Sequence, residues 1–198
     1  MKLDFKDIYI RPLEIADIND RYINWFSDSN VTEFLEVSHI TKEDSKLYLI
    51  NGYKTGTYYI YAICLNKNNL HIGNVKIGPI KRKEGVSDLV TVVGDKKYWG
   101  KGVARIAIFK AIELGFEEGN IRKFVASINS LNLGSIKAYL KAGFKKEAII
   151  KNYFYNKIDK NIVLSDKVFV SCENKKFNMK VLEIWKPFTT KDINLNEK

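Results

Sequence analysis

Histidine, cysteine and proline are nearly absent, at two, two and three among 198 residues. Each scarcity excludes something. Cys64 and Cys172 stand in separate apolar runs, with no Cys-x-x-Cys pair and no adjacent histidine. A disulfide framework and a thiolate–imidazole metal site are therefore not expected, and both residues read as small buried hydrophobes in a reduced cytoplasm. No apolar run approaches the ~20 residues that span a bilayer, and the stretch from Met1 to Asp7 lacks the apolar core of a signal peptide. Nor does any Ser/His or Cys/His pairing show a recognisable spacing, so covalent nucleophilic catalysis is not indicated.

What is present suffices to fold. Hydrophobic residues at 45% supply a core, and 13% aromatic with 28% charged residues exclude a disordered chain. The length suits one domain, 1–172, with a C-terminal extension, 173–198. Within the extension, Val181 to Trp185 is apolar enough to pack as an added strand or against the partner subunit of a homodimer, while 189–198 is polar and expected to fray. Net charge is +10 but unevenly spread: residues 1–50 carry six Lys/Arg against ten Asp/Glu, and residues 76–110 carry nine against three. Nucleic-acid binding finds no support beyond that charge, because no basic helix, interleaved Arg–aromatic platform or zinc pattern accompanies it.

Hydrophobic periodicity predicts strands at Ile8–Leu13, Tyr58–Leu65, His71–Ile80, Ser87–Val93, Lys123–Ile128, Lys145–Tyr155 and Val168–Ser171. Helices are predicted from an N-cap at Asp17 through Phe26, from the capping box Thr41-Lys-Glu-Asp44 to about Gly52, over Val103–Glu118, and over Ser135–Ala142 with Gly143 as the stop. This order implies an α+β fold, a sheet layered with helices. Between the fourth strand and the long helix lies Tyr98-Trp99-Gly100-Lys101-Gly102-Val103-Ala104. A strand, a glycine-rich turn and a helix start in succession make an anion cradle, with unpaired N–H groups and the positive end of the helix dipole facing outward. The segment is neither a P-loop, for want of Gly-Lys-Ser/Thr, nor a dinucleotide fingerprint, since Arg105 stands where a third small residue is needed.

Two blocks about thirty residues apart, Trp99-Gly-Lys-Gly-Val-Ala104 and Asn132-x-x-Ser135-Ile136-x-x-Tyr139-x-x-x-Gly143-Phe144, together resemble the signatures of the GNAT superfamily of N-acetyltransferases. Ile10-Arg11-Pro12-Leu13, Trp25-Phe-Ser-Asp28 with Phe34-Leu35-Glu36, and His71-Ile-Gly73-Asn74 through Ile80 are similar to the branch holding ribosomal-protein N-terminal, polyamine and amino-sugar acetyltransferases. The resemblance covers roughly residues 8–155. It implies a mixed, mostly antiparallel central sheet with a splayed pair of strands, and acetyl-CoA as cosubstrate. It also implies a coenzyme site of Val92, Val93, Trp99, Gly100, Lys101, Gly102, Val103, Ala104, Asn132, Ser135 and Tyr139. The basic 76–110 region would complement the coenzyme's phosphates.

Acyl transfer from a thioester to an amine needs a neutral amine, a stabilised oxyanion and a protonated leaving thiolate. The resemblance makes Tyr139 the proton donor to sulfur. For the base, Glu36 borders the acceptor site in this branch, Glu84 lies in the loop after Gly78-Pro79, and His39 has a suitable intrinsic pKa. His71 opens a strand and reads as structural. The similarity of Phe34–Val37 and Gly73–Ile80 to certain relatives favours an amino sugar on a nucleotide carrier as acceptor, with a protein N-terminus or a polyamine as alternatives. A coenzyme-binding module without catalysis is the reading from another class.

Overall fold

The stretch Tyr59–Leu65 is buried at every position. A strand with no wet face belongs inside a sheet that is covered on both sides. This strand, β2, pairs antiparallel with β1 (Ile8–Pro12) and β3 (His71–Lys81). The computed structural model describes residues 2–37, 40–158 and 161–177. It adds β4 (Val86–Val92), β5 (Lys123–Asn129), β6 (Lys145–Ile158) and β7 (Asn161–Glu173). The sheet order is β1-β2-β3-β4-β5-β7-β6, antiparallel throughout except for the parallel pair β4–β5. The expected α+β fold with a mixed, mostly antiparallel sheet is the one found.

Alternation along β2 assigns the two covering layers. Ile60, Ala62 and Cys64 meet Tyr22, Trp25, Val31 and Leu49 from α1 (Asp20–Ser27), α2 (Ser29–Thr32) and α3 (Lys42–Thr55). Tyr59 and Tyr61 meet Ile108, Ala111, Ile112, Ile136 and Tyr139 from α4 (Val103–Glu117) and α5 (Leu133–Lys141). Both cysteines are free thiols. Buried His71 places Nε2 2.9 Å from both the Gly73 carbonyl and Asn74 Oδ1, a structural role, and burial pushes its pKa down.

Several element boundaries differ from expectation, each for a visible reason. Asp17 does not cap a helix. Its carboxylate takes two bonds from the Arg11 guanidinium, at 2.6 and 2.7 Å, and one from the Glu14 N–H at 2.9 Å. A bidentate charged pair outweighs a cap, so a short 3-10 turn forms at Ile15–Asp17 and Asn19 caps α1 instead. Helix α3 runs past Gly52 to a left-handed Gly56; Gly52 serves packing, since a Cβ there would lie 2.3 Å from the Tyr58 ring. The final strand is far longer than Val168–Ser171, because β7 outruns β5. Beyond Asn129↔Lys167 it pairs with β6 alone, leaving a two-stranded ribbon from Phe154 to Ser165. The apolar segment Val181–Trp185 lies outside the described residues.

Burial alone would raise the Asp17 pKa, but the Arg11 bonds and the Glu14 N–H hold it below the usual carboxylate value. The stabilisation is complete above about pH 3.9, the unfolded value, and is lost as pH falls through the depressed folded pKa. Arg11→Met strands a buried carboxylate and is expected to cost about 3 kcal/mol, a fall of roughly 6–12 °C in Tm at pH 7. Thermal melts over a pH series from 7 downward should show the gap between variant and parent narrowing as pH falls through the depressed Asp17 pKa of the parent.

Candidate active site

Strands β4 and β5 pair at Val86↔Lys123, Ser87↔Phe124 and Asp88↔Val125, then part. Each keeps its outer neighbour: β4 stays on β3 through Val92, and β5 stays on β7 through Asn129. Only the shared edge opens. From α5, the Tyr139 hydroxyl donates to the Leu89 carbonyl at 2.6 Å, just past the last paired residue. That bond satisfies a buried carbonyl on the strand that has lost its partner. Tyr139 is only 4% exposed, and burial pushes its pKa well above the ordinary phenol value.

On one side of the split lies a cavity of about 640 Å³, lined by Thr91, Val92, Val93, the whole turn from Trp99 to Arg105, and Asn132, Ser135 and Tyr139. The turn is built to present backbone. Gly100 and Gly102 are left-handed, at φ 71 and 91, and a Cβ on Gly100 would meet nothing within 4 Å. Gly102 is the N-cap of α4 and supplies no side-chain cap, and no acidic residue lies in the first turn. The positive helix end therefore faces the cavity uncompensated. Trp99 Nε1 donates to the Val93 carbonyl at 2.7 Å and Leu3 N–H to the Lys101 carbonyl at 3.0 Å, which pins the turn. Lys101, Arg105, Lys137 and Lys141 add positive charge around the rim. Asn132, not Ser135, caps α5, with Oδ1 accepting from Ser135 N–H at 3.0 Å.

A second cavity, of about 540 Å³, opens on the other side of the split and shares Glu33, Phe34, Leu35, Thr91, Asn132, Ser135 and Tyr139 with the first. Glu33, Phe34 and Glu36, from the segment after α2, face Asp88, Val90, Lys167 and Phe169 across it.

A fold of this kind is shared with known proteins. A GNAT acetyltransferase domain model matches residues 7–145, well over half the chain. This protein belongs to the GNAT acetyltransferases. An uncharacterised N-acetyltransferase of Bacillus licheniformis is 26% identical over 148 residues, covering 73% of this chain and 82% of the relative. The probable N-acetyltransferase YjcK of Bacillus subtilis is 27% identical over 157 residues, covering 74% and 84%. Among solved structures, spermidine N-acetyltransferase from Vibrio cholerae, in complex with CoA and spermine, superposes with a TM-score of 0.75 at 18% identity, covering 86% of this chain and 98% of that one. Ribosomal-protein-S5-alanine acetyltransferase from Vibrio fischeri gives 0.70 at 21% identity, covering 90% and 99%. The chain is thus an acetyl-CoA-dependent N-acetyltransferase, and the turn, the uncapped helix end and the lysine rim fit a phosphorylated cosubstrate.

Within this acetyltransferase the sequence-predicted residues separate. Val92, Val93, Trp99, Gly100, Lys101, Gly102, Val103, Ala104, Asn132, Ser135 and Tyr139 all line the first cavity. Glu36 lines the second and is exposed. Glu84 does not belong to the site. It sits in the β3–β4 hairpin turn, where its carbonyl accepts from Arg122 Nε at 2.6 Å, at the end of β4 opposite the glycine turn, and it lines neither cavity. His39 lies outside the described residues.

Sequence reasoning passed over Asp88. It is half-buried, lines the second cavity, and has no side-chain hydrogen bond or ion pair among the described residues. Burial raises its pKa, against a smaller pull downward from Lys81, Lys76 and Lys167. The available signal was a lone acid within the apolar strand that leads into the glycine turn.

A branched residue at φ 91 is strained, so Gly102→Val must re-aim the first-turn N–H groups of α4. The expected outcome is at least ~10-fold weaker acetyl-CoA binding by calorimetric titration. Binding within twofold of the parent would show that the turn does not hold the phosphates.

Proposed function

We propose that this acetyltransferase acetylates a primary amine that carries further positive charge, a polyamine or similarly cationic acceptor. The observation behind the proposal is the charge of the second cavity. Glu36 and Asp88 line it without an ion-pair partner among the described residues, and Glu33 stands where it meets the first cavity. Its only basic lining residue among those described, Lys167, has Nζ 4.2 Å from the Tyr153 ring centroid, 5.5 Å from Phe169 and 5.9 Å from Phe154, so that part of its charge is met by aromatic rings. A nucleotide-linked amino sugar, the acceptor favoured by the sequence resemblance, would carry its phosphates toward these carboxylates, which disfavours it. That a structural neighbour is solved with spermine agrees with a cationic acceptor.

The residues divide the chemistry. Asp88 and Glu36 bind the ammonium, and Asp88, pushed up by burial, takes a proton from it directly or through water. Main-chain groups on the open edge of Leu89–Val92 hold the pantetheine arm and receive the oxyanion. Tyr139 gives its proton to the leaving thiolate, which breaks the carbon–sulfur bond cleanly as the new amide forms.

Thiol release measured with spermidine, a peptide N-terminus and a nucleotide-linked amino sugar decides the acceptor. The expected kcat/KM is at least ~10-fold higher for spermidine. A preference for the nucleotide sugar would refute the charge argument. Asp88→Asn should lower kcat/KM by about 10²–10⁴. In the parent, kcat/KM should fall as pH drops through a limb lying above the usual Asp range, and the variant should lose that limb. Tyr139→Phe should lower kcat about 10–100-fold with coenzyme affinity nearly unchanged. It should also cost about 1–3 kcal/mol of stability, because the Leu89 carbonyl loses its donor.

A further inference from the structure

Thr91 has a buried hydroxyl with no hydrogen-bond partner. An unpaired hydroxyl inside a fold is uncommon and calls for a reason. Its position supplies one. Leu89 and Thr91 are two apart on β4 and share a face, the face toward α5 that Tyr139 occupies. Both Thr91 and Tyr139 line the two cavities where these meet at the split. The phenol commits its single proton to the Leu89 carbonyl, and among the described residues no donor reaches the phenolic oxygen. An oxygen without a donor thus lies beside a hydroxyl without an acceptor. Thr91 is close enough that its bond to the ionised oxygen pulls the phenol pKa down, although burial outweighs it.

This matters during turnover, on the reading above that Tyr139 protonates the thiolate. Once that proton has moved to sulfur, the phenolate sits almost wholly out of water, where an unpaired anion is costly. We propose that Thr91 is a positioning residue for Tyr139, its hydroxyl donating a hydrogen bond to the phenolate oxygen that proton transfer creates. Thr91 keeps its own proton. The phenolate regains one from the proton released by the acetylated amine. A neutral phenol oxygen is a weak acceptor and a phenolate a strong one, so the interaction favours the late, charged state over the ground state.

Thr91→Val retains the shape and the β-branched strand preference, while Thr91→Ser retains the hydroxyl. Steady-state thiol release is measured for both, for Tyr139→Phe, and for the Thr91→Val/Tyr139→Phe double variant. Thr91→Val should lose about 10-fold in kcat, with KM for acetyl-CoA within about twofold of the parent. Thr91→Ser should return to within about twofold, and Thr91→Val should cost nothing more in the Tyr139→Phe background. A Thr91→Val enzyme with parental kcat, or one that loses the same factor in both backgrounds, overturns the role of Thr91 and leaves Tyr139 as donor. Undiminished kcat in Tyr139→Phe overturns both.

Discussion

The separation of β4 from β5 after three parallel pairs is the constraint on which the rest depends. Continued pairing would tie up the edge of Leu89–Val92 and close both cavities. Three attachments keep the strands apart: β3 on the outer side of β4, β7 on the outer side of β5, and the Tyr139 hydroxyl on the Leu89 carbonyl. The last is the least ordinary. A buried carbonyl that has lost its strand partner normally draws the sheet together, and a phenol in its place lets the gap persist. The same group that stabilises the opening is thereby positioned at its apex.

Charge then distinguishes the two faces of the opening. One presents an uncapped helix start, left-handed glycines and a lysine rim, all suited to phosphate. The other presents Glu36 and Asp88, with Lys167 held among aromatic rings, while Glu33 borders both. A polyanionic donor and a cationic acceptor can therefore approach one apex from opposite sides, each drawn by its own field. On the proposed reading, acceptor choice would reside in the segment after α2 and in β6 and β7, which line the acidic cavity. Solved proteins of this fold have acceptors as different as spermidine and a ribosomal protein, so the scaffold alone does not select among them.

Local signals in the chain account for much of this. The glycine turn was legible because positive φ and helix initiation are short-range demands that leave Gly100 and Gly102 little freedom. Asn132, Ser135 and Tyr139 were singled out by the resemblance of their block to a family signature, and the succession of strands by the alternation of apolar residues. Asp17 misled, since a side chain that can cap locally found a stronger partner in Arg11, outside its own helix. Glu84 was named by likeness to the loop after Gly78-Pro79 in relatives, and the hairpin carries it to the end of β4 away from both cavities.

The amino-acid order by itself determined the elements, their succession and the phosphate-facing turn, because these rest on backbone preferences within a few residues. Only the tertiary structure decided which acids meet, that Asp88 and the Thr91 hydroxyl have no partner among the described residues, and that Lys167 lies among aromatic rings. Those facts depend on distances between strands far apart in the chain and on which groups water can still reach, and no local pattern records either.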